Sequence, residues 1–111
     1  MKKHFLLGAF LFAVTLINAQ NITFTDVNFK NFLTQATGLT SWNLQGVQTA
    51  IDLNKDGEIE QTEAENIGIL LINNTQITSL EGIENFKNLK RFTCIGNQIT
   101  SLNLSNLSKL E

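Results

Sequence analysis

The sequence predicts an α/β fold in which a short parallel sheet, built from about two repeats of a solenoid, follows a mainly helical N-terminal cap. Three observations carry this expectation. The string "QITSL" occurs at 76–80 and again at 98–102, an offset of 22 residues, and a fixed period of about 20–50 residues marks a stacked array. Residues 20–51 do not repeat, and they carry apolar side chains at helical spacing. Between the two lies an acidic stretch, "DLNKDGEIEQTE", from Asp52 to Glu63.

The first 19 residues are set apart by composition. Met1-Lys2-Lys3-His4 is a short basic start, Phe5 to Ile17 is an apolar run, and small Ala19 precedes Gln20. This is the three-part pattern of a signal peptide over 1–19, cleaved after Ala19. The apolar run falls short of the ~20 residues that span a bilayer, so no membrane insertion is expected after cleavage. The expected location is secreted, periplasmic or cell surface. Cleavage leaves six bases against ten acids, a net charge of −4. An acidic chain without a basic stripe makes nucleic acid a poor partner, because phosphate contacts need clustered Lys and Arg. The single histidine, His4, lies in the signal. The remaining chain therefore has no imidazole for a triad, a general base or a zinc site. Cys94 is the only cysteine, so no internal disulfide can form and stability must come from packing or metal.

The cap is expected over residues 20–66. In "FTDVNFKNFLTQAT", Thr25 or Asp26 is the candidate N-cap, with Val27, Phe32, Leu33 and Ala36 at helical spacing and Gly38 as a stop. "SWNLQGVQTAI" places Leu44, Val47 and Ile51 on one helical face, interrupted by Gly46. A stacked array needs its first unit covered, and Phe24, Phe29, Phe32 and Trp42 are the candidate covering groups.

The acidic loop, 52–63, reads position by position as a cage for a hard cation. Asp52, Asn54 and Asp56 stand at 1, 3 and 5, Gly57 at the sharp turn of position 6, and Glu58 at 7, where its backbone carbonyl would serve. Ile59 at 8 ties the loop to a core, Glu60 at 9 could act through a water, and Glu63 at 12 can be bidentate. This resembles the EF-hand calcium loop. A solvated acidic turn would need only "NKDG", yet six of the ten acids lie between Asp52 and Glu65, a density that repels itself without a cation. The metal ligands expected are Asp52, Asn54, Asp56, Glu58 and Glu63, and the metal is Ca2+. The exiting segment, Thr62 to Ile67, is short, and Thr62 with Glu65 could form a capping box. There is one loop rather than a pair, as in dockerin-like modules. The resemblance therefore implies a structural ion that clips the cap to the first repeat, with a Kd on the order of 10⁻⁴–10⁻³ M.

The repeats are expected over residues 67–111. "IGILLINNTQITSL" (67–80) superposes on "LKRFTCIGNQITSL" (89–102): Ile67 on Leu89, Leu70 on Phe92, Ile72 on Cys94, Ile77 on Ile99 and Leu80 on Leu102. A third unit begins at Leu110. "LLI" and "FTC" would each give one strand to a parallel sheet. Asn97, and more weakly Thr75, would bond leftover backbone groups at the turn. Ile83 with Phe86, and Leu104 with Leu107, would be buried on the returning side. Cys94 takes an inward position, where a thiol packs acceptably. The spacing L-x-x-L-x-L-x-x-N-x-L resembles the leucine-rich repeat family. Together "FTDVNFKNFL", "DLNKDGEIEQTEA" and "FTCIGNQITSLNLS" resemble the N-terminal part of exported leucine-rich repeat proteins of Bacteroidota-type bacteria.

That resemblance implies an interaction module that binds a protein or glycan ligand on the repeat sheet, where Asn73, Arg91, Thr93 and Ile95, with Ile69 and Leu71, would face outward. The alternative is a non-binding, calcium-carrying piece of a larger surface protein or exported enzyme. An enzyme is not expected in this segment: Glu58 and Glu60 imitate a glycosidase pair, but no scaffold large enough for a cleft surrounds them. The apolar positions of the second unit imply further repeats, or self-association through an uncapped C-terminal edge.

Overall fold

A computed structural model describes residues 20–36, 39–73, 76–100 and 102–111. The expected signal segment 1–19, the stop at Gly38 and the turn residue Thr75 lie outside the described residues. In chain order the elements are α1 (Val27–Thr34), β1 (Ser41–Asn43), α2 (Gln61–Glu65), β2 (Ile67–Asn73), a 3-10 turn (Ile83–Asn85) and β3 (Arg91–Ile95). The strands form one mixed sheet in the order β1-β2-β3.

Helix α1 starts where the sequence places its cap. Asp26 Oδ1 accepts the backbone N–H groups of Asn28 at 2.8 Å and Phe29 at 3.3 Å, satisfying two of the donors a helix start leaves open. Its core face differs by a small rotation from the one expected. Phe29, Leu33 and Ala36 are buried and Phe32 is half-buried, while Val27 is exposed. Phe29 also meets the ring of Phe24 edge-on, with centroids 5.3 Å apart.

The second expected helix of the cap is not formed. Ser41–Asn43 is a strand, antiparallel to β2, pairing Ser41 with Leu70, Trp42 with Ile69 and Asn43 with Ile67. Leu44 and Val47 are exposed, and only Ile51 of the three expected positions is buried. After β1 the chain turns back on itself through Gly46, whose φ of +78° suits glycine. Asn43 N–H then donates to Val47 O at 2.8 Å, and Thr49 N–H to Ser41 O at 3.1 Å. The cap is thus a helix plus a short strand. A strand wins because β2 offers a row of unpaired backbone groups on that side, and β1 satisfies them.

The repeat pairing follows the 22-residue offset. Strands β2 and β3 are parallel, with Ile69 opposite Arg91, Leu70 opposite Phe92, Leu71 opposite Thr93, Ile72 opposite Cys94 and Asn73 opposite Ile95. The returning side repeats as well. Phe86 N–H donates to Ile83 O and Leu89 N–H to Phe86 O; 21 residues later Leu107 N–H donates to Leu104 O and Leu110 N–H to Leu107 O. The strand entries also match, since Lys90 N–H donates to Gly68 O at 2.7 Å and Glu111 N–H to Lys90 O at 2.9 Å.

Asn97 ties the two units together as its position suggests. Its Nδ2 donates to Ile72 O at 3.0 Å and to Ile95 O at 3.4 Å, and its Oδ1 accepts from Ile77 N–H at 3.3 Å. The core runs between sheet and returning side: Leu70, Ile72, Ile77, Ile83, Phe86 and Leu89 are buried, joined from the cap by Phe29, Leu33, Ile51 and Ile59. Each such side chain contributes roughly 1.5–3 kcal/mol through burial.

Asp26 has a second role that its place in the sequence does not reveal. Its other oxygen, Oδ2, accepts Thr78 N–H at 2.7 Å, Ser79 N–H at 3.1 Å and the Thr78 hydroxyl at 3.1 Å. The Thr25 hydroxyl donates to Glu81 Oε2 at 3.1 Å, and Asn28 Nδ2 to Gln76 O at 3.3 Å. Helix α1 is thereby clipped to the first repeat by hydrogen bonds. Partial burial pushes the Asp26 carboxyl upward, but the bonds from Thr78, Ser79 and Asn28 outweigh it and hold it down at about 2.

Candidate metal loop and sheet face

The acidic loop is anchored at both ends. Ile59 is fully buried, its carbonyl accepts Ile22 N–H at 2.8 Å, and Gln61 N–H donates to Gln20 O at 3.1 Å. The N-terminal stretch of the cap therefore runs antiparallel to the loop's exit, with Asn21 bridging Glu60. From the other side Lys30 of α1 reaches Glu58, with Nζ 2.8 Å from Oε2. The sharp turn falls at Gly57, φ +81°, just after Lys55 at φ +59°.

Inside the loop, short polar side chains hold the backbone coiled. Asp52 Oδ2 accepts Gly57 N–H at 2.9 Å, Asn54 Oδ1 accepts Asp56 N–H at 3.3 Å, and Asp56 Oδ1 accepts Glu58 N–H at 2.9 Å. Those bonds bring positions 1, 3 and 5 around a common turn. The Glu58 N–H also holds the Asp56 carboxyl below the usual range, helped by hydrogen bonding shared with Glu60 and Asp52.

Glu63 is placed differently from a free chelating carboxylate. Its Oε2 accepts Leu53 N–H at 2.8 Å and Asn54 N–H at 3.3 Å, and its Oε1 accepts Glu60 N–H at 3.0 Å. Glu60 is the N-cap of α2, and Glu63 is the third helical residue that bonds back to it, so the capping box is formed by Glu60 and Glu63 rather than by Thr62 and Glu65. The Glu63 carboxyl beside it pushes Glu60 upward, while the Asn54 amide, donating to Glu60 Oε1 at 2.9 Å, pulls it down.

Among the described residues no three His, Cys, Asp or Glu side chains converge into a ready metal cluster. The acids form a chain of neighbours instead, with Asp52 beside Asp56, Asp56 beside Glu60 and Glu60 beside Glu63. Two carboxylate oxygens in this chain are buried without a hydrogen-bond partner, Asp52 Oδ1 and Glu60 Oε2. Asp52 as a whole is 5% exposed. An anionic oxygen removed from water and left unpaired is costly. A hard cation is the chemistry that would satisfy it.

The sheet supplies the second feature. Alternation along a strand puts Leu70 and Ile72 inward, where both are buried, and leaves Ile69 and Leu71 half-buried on the opposite face with exposed Asn73. On β3 that face carries exposed Arg91, half-buried Thr93 and Ile95, which is 66% exposed. Trp42 is paired with Ile69, and paired residues share a face. The half-buried indole therefore extends this surface instead of covering the core. Helical spacing hid Trp42 from this role, because the face it shares exists only once β1 joins the sheet.

Cys94, expected to be inward, is half-buried. Burial pushes its thiol up, and the Asn97 amide, 3.6 Å from Sγ, acts the other way. Among the described residues no helix is long and apolar enough to cross a membrane.

No protein-family model matches the chain, and no curated protein matches it. Among solved structures it is similar to an internalin from Listeria monocytogenes str. 4b F2365, with a TM-score of 0.53 and 28% sequence identity over 78% of this chain and 22% of that one. The chain thus spans about a fifth of the length of that leucine-rich repeat protein. A small α/β fold with a mixed three-stranded sheet, leucine-rich-repeat-like in its parallel pair, is the architecture of this chain.

Proposed function

We propose that this chain is the N-terminal part of an exported, non-enzymatic interaction module that binds a protein through the outer face of its sheet. The observation that carries the reading is the composition of that face. Trp42, Ile69, Leu71 and Ile95 place apolar side chains in partial exposure around one cation, Arg91. Aromatic, aliphatic and Arg side chains in partial exposure are the groups that anchor protein interfaces. The likeness to an internalin supports the fold on which such a face is displayed. A glycan ligand is the second reading, favoured by the half-buried Trp42, since an indole can stack on a sugar. Binding of the chain to arrays of extracellular proteins and of glycans tests the pair. The first reading expects a protein ligand lost in Arg91→Glu and Ile95→Asp variants that keep the wild-type melting curve. Binding to glycans alone, lost in Trp42→Ala, would replace it with the second.

The residues of the acidic loop fit a calcium ion, on the strength of the buried, unpaired Asp52 Oδ1 and the coiled backbone around it. Asp52, Asn54, Asp56 and the Glu58 carbonyl would hold it, with Glu63 closing the loop. The ion would supply positive charge that offsets repulsion among the acids. Its effect would be structural, since Ile59, Lys30 and Gln20 tie the loop to the rest of the cap. Calcium should then raise the melting temperature, and Asp52→Ala should remove the increase. Equal responses to calcium and magnesium, or no response, would refute the site. The signal peptide at 1–19, and with it a secreted, periplasmic or surface location, belongs to the same reading. So does association of copies through the edge of β3.

A further inference from the structure

We infer that in this loop Glu60 is a direct ligand of the cation alongside Asp52, while Glu63 is a positioning residue that holds the loop whether or not the ion is bound. This rests on the calcium reading above and assigns roles within it. In the twelve-position pattern the ninth residue commonly acts through a water and the twelfth supplies two oxygens. Here the geometry reverses them.

Both Glu63 oxygens already accept three backbone N–H groups, from Leu53, Asn54 and Glu60. To coordinate through both oxygens it would weaken or abandon bonds that cap α2 and close the first turn of the loop. The three N–H groups would then have to find other acceptors. Glu60 has no such engagement on one side. Its Oε1 accepts the Asn54 amide, and its Oε2 is buried and unpartnered, as is Asp52 Oδ1. Glu60 also stands between the other acids, next to both Asp56 and Glu63. Asp56 stands beside both Asp52 and Glu60, and an ion that reached Asp52 Oδ1 and Glu60 Oε2 together would satisfy the two orphaned oxygens and leave the Glu63 clamp intact. Asn54 bonds Glu60 and stands at position 3, which orients the ligand from a neighbouring ring position.

Europium luminescence separates the roles, because lifetimes in H2O and D2O count the waters on the bound ion. Loss of a direct ligand admits about one further water, whereas loss of a positioning residue does not. Calcium titrations and melting curves accompany it. Glu60→Ala should add about one water and weaken calcium by about tenfold or more, while the metal-free melting temperature falls, because the variant also loses the α2 cap and the Asn54 bond. Glu63→Gln, which keeps an acceptor in place, should leave the water count at the wild-type value and lower the metal-free melting temperature. An added water in Glu63→Gln, with an unchanged count in Glu60→Ala, would overturn the assignment and restore Glu63 as the chelating residue. Failure of the wild-type chain to bind either ion would instead refute the calcium reading as a whole.

Discussion

The two repeats carry equivalent residues in unequal surroundings. In the first, Leu70, Ile72, Ile77 and Leu80 are buried; in the second, Phe92, Cys94 and Ile99 are half-buried, and Leu102 is 50% exposed against 3% for Leu80. Apart from the thiol of Cys94, the inward side chains of the second unit are as apolar in type as those of the first. What differs is the neighbour. The first unit lies between the second unit and a cap fastened to it by Asp26, Thr25 and Asn28. Among the described residues, the second meets a partner on one side only. In a stacked array, burial belongs to the interface between units and not to the unit, so stability accrues interface by interface.

The contact between cap and first unit gives the largest test of that view. Gly82 has φ +109°, and a Cβ there would clash with the ring of Phe24. Gly82→Ala combines a left-handed backbone penalty with overpacking against an aromatic ring, and should cost about 3 kcal/mol in urea unfolding. An unchanged midpoint would mean that Phe24 does not seat there and that something else shields the first unit.

Paired truncations sharpen the comparison directly. Leu70→Ala should cost about 3 kcal/mol, and Phe92→Ala less, although phenylalanine is the larger side chain. Equal or reversed costs, especially if they grow with protein concentration, would show that the second unit is covered in solution by another copy.

A smaller effect is expected at the clip. Asp26→Asn keeps the shape but removes the charge from five hydrogen bonds, at about 1 kcal/mol. Because the folded chain holds this carboxyl at about 2 against an ordinary 3.8, its contribution is complete above the ordinary value and fades as pH falls through the lower one. Acid titration of the melting temperature should therefore lose its steepest part between those values in Asp26→Asn. A superimposable acid limb would place the pH sensitivity elsewhere.

Much of the repeat region was legible because its determinants are local and periodic. The 22-residue offset alone predicts the pairing of Leu70 with Phe92 and Ile72 with Cys94, and Asn97 bonds the backbone as its place after a strand suggests. The turn of the acidic loop at Gly57 was legible for the same reason. The cap was harder. Leu44, Val47 and Ile51 mimic helical spacing, but β1 forms because β2 has an open edge, and no window of cap sequence contains that fact. Thr62 and Glu65 have the right spacing for a capping box, yet the helix starts after Glu60, where the pairing of Asn21 with Glu60 sets the entry. The double use of Asp26 and the need for glycine at 82 join residues more than 50 positions apart. In the loop, residue types were readable, but which acids are already spent on backbone N–H groups was not.

The strand that closes the N-terminal side of the sheet also sets the arithmetic of assembly. The outer edge of β1 is already used: Asn43 and Ser41 bond the returning Val47 and Thr49, and Trp42 bridges Gln48. On the far side of β3, the Glu111 N–H donates to Lys90 O. A molecule with two receptive edges can join head to tail without limit and grow into fibres, whereas one with a single receptive edge can only meet its like face to face. Strand addition at the outer edge of β1 is therefore closed to a second copy. The short antiparallel strand, which contributes only three residues to the sheet, acts as a chain terminator for polymerisation.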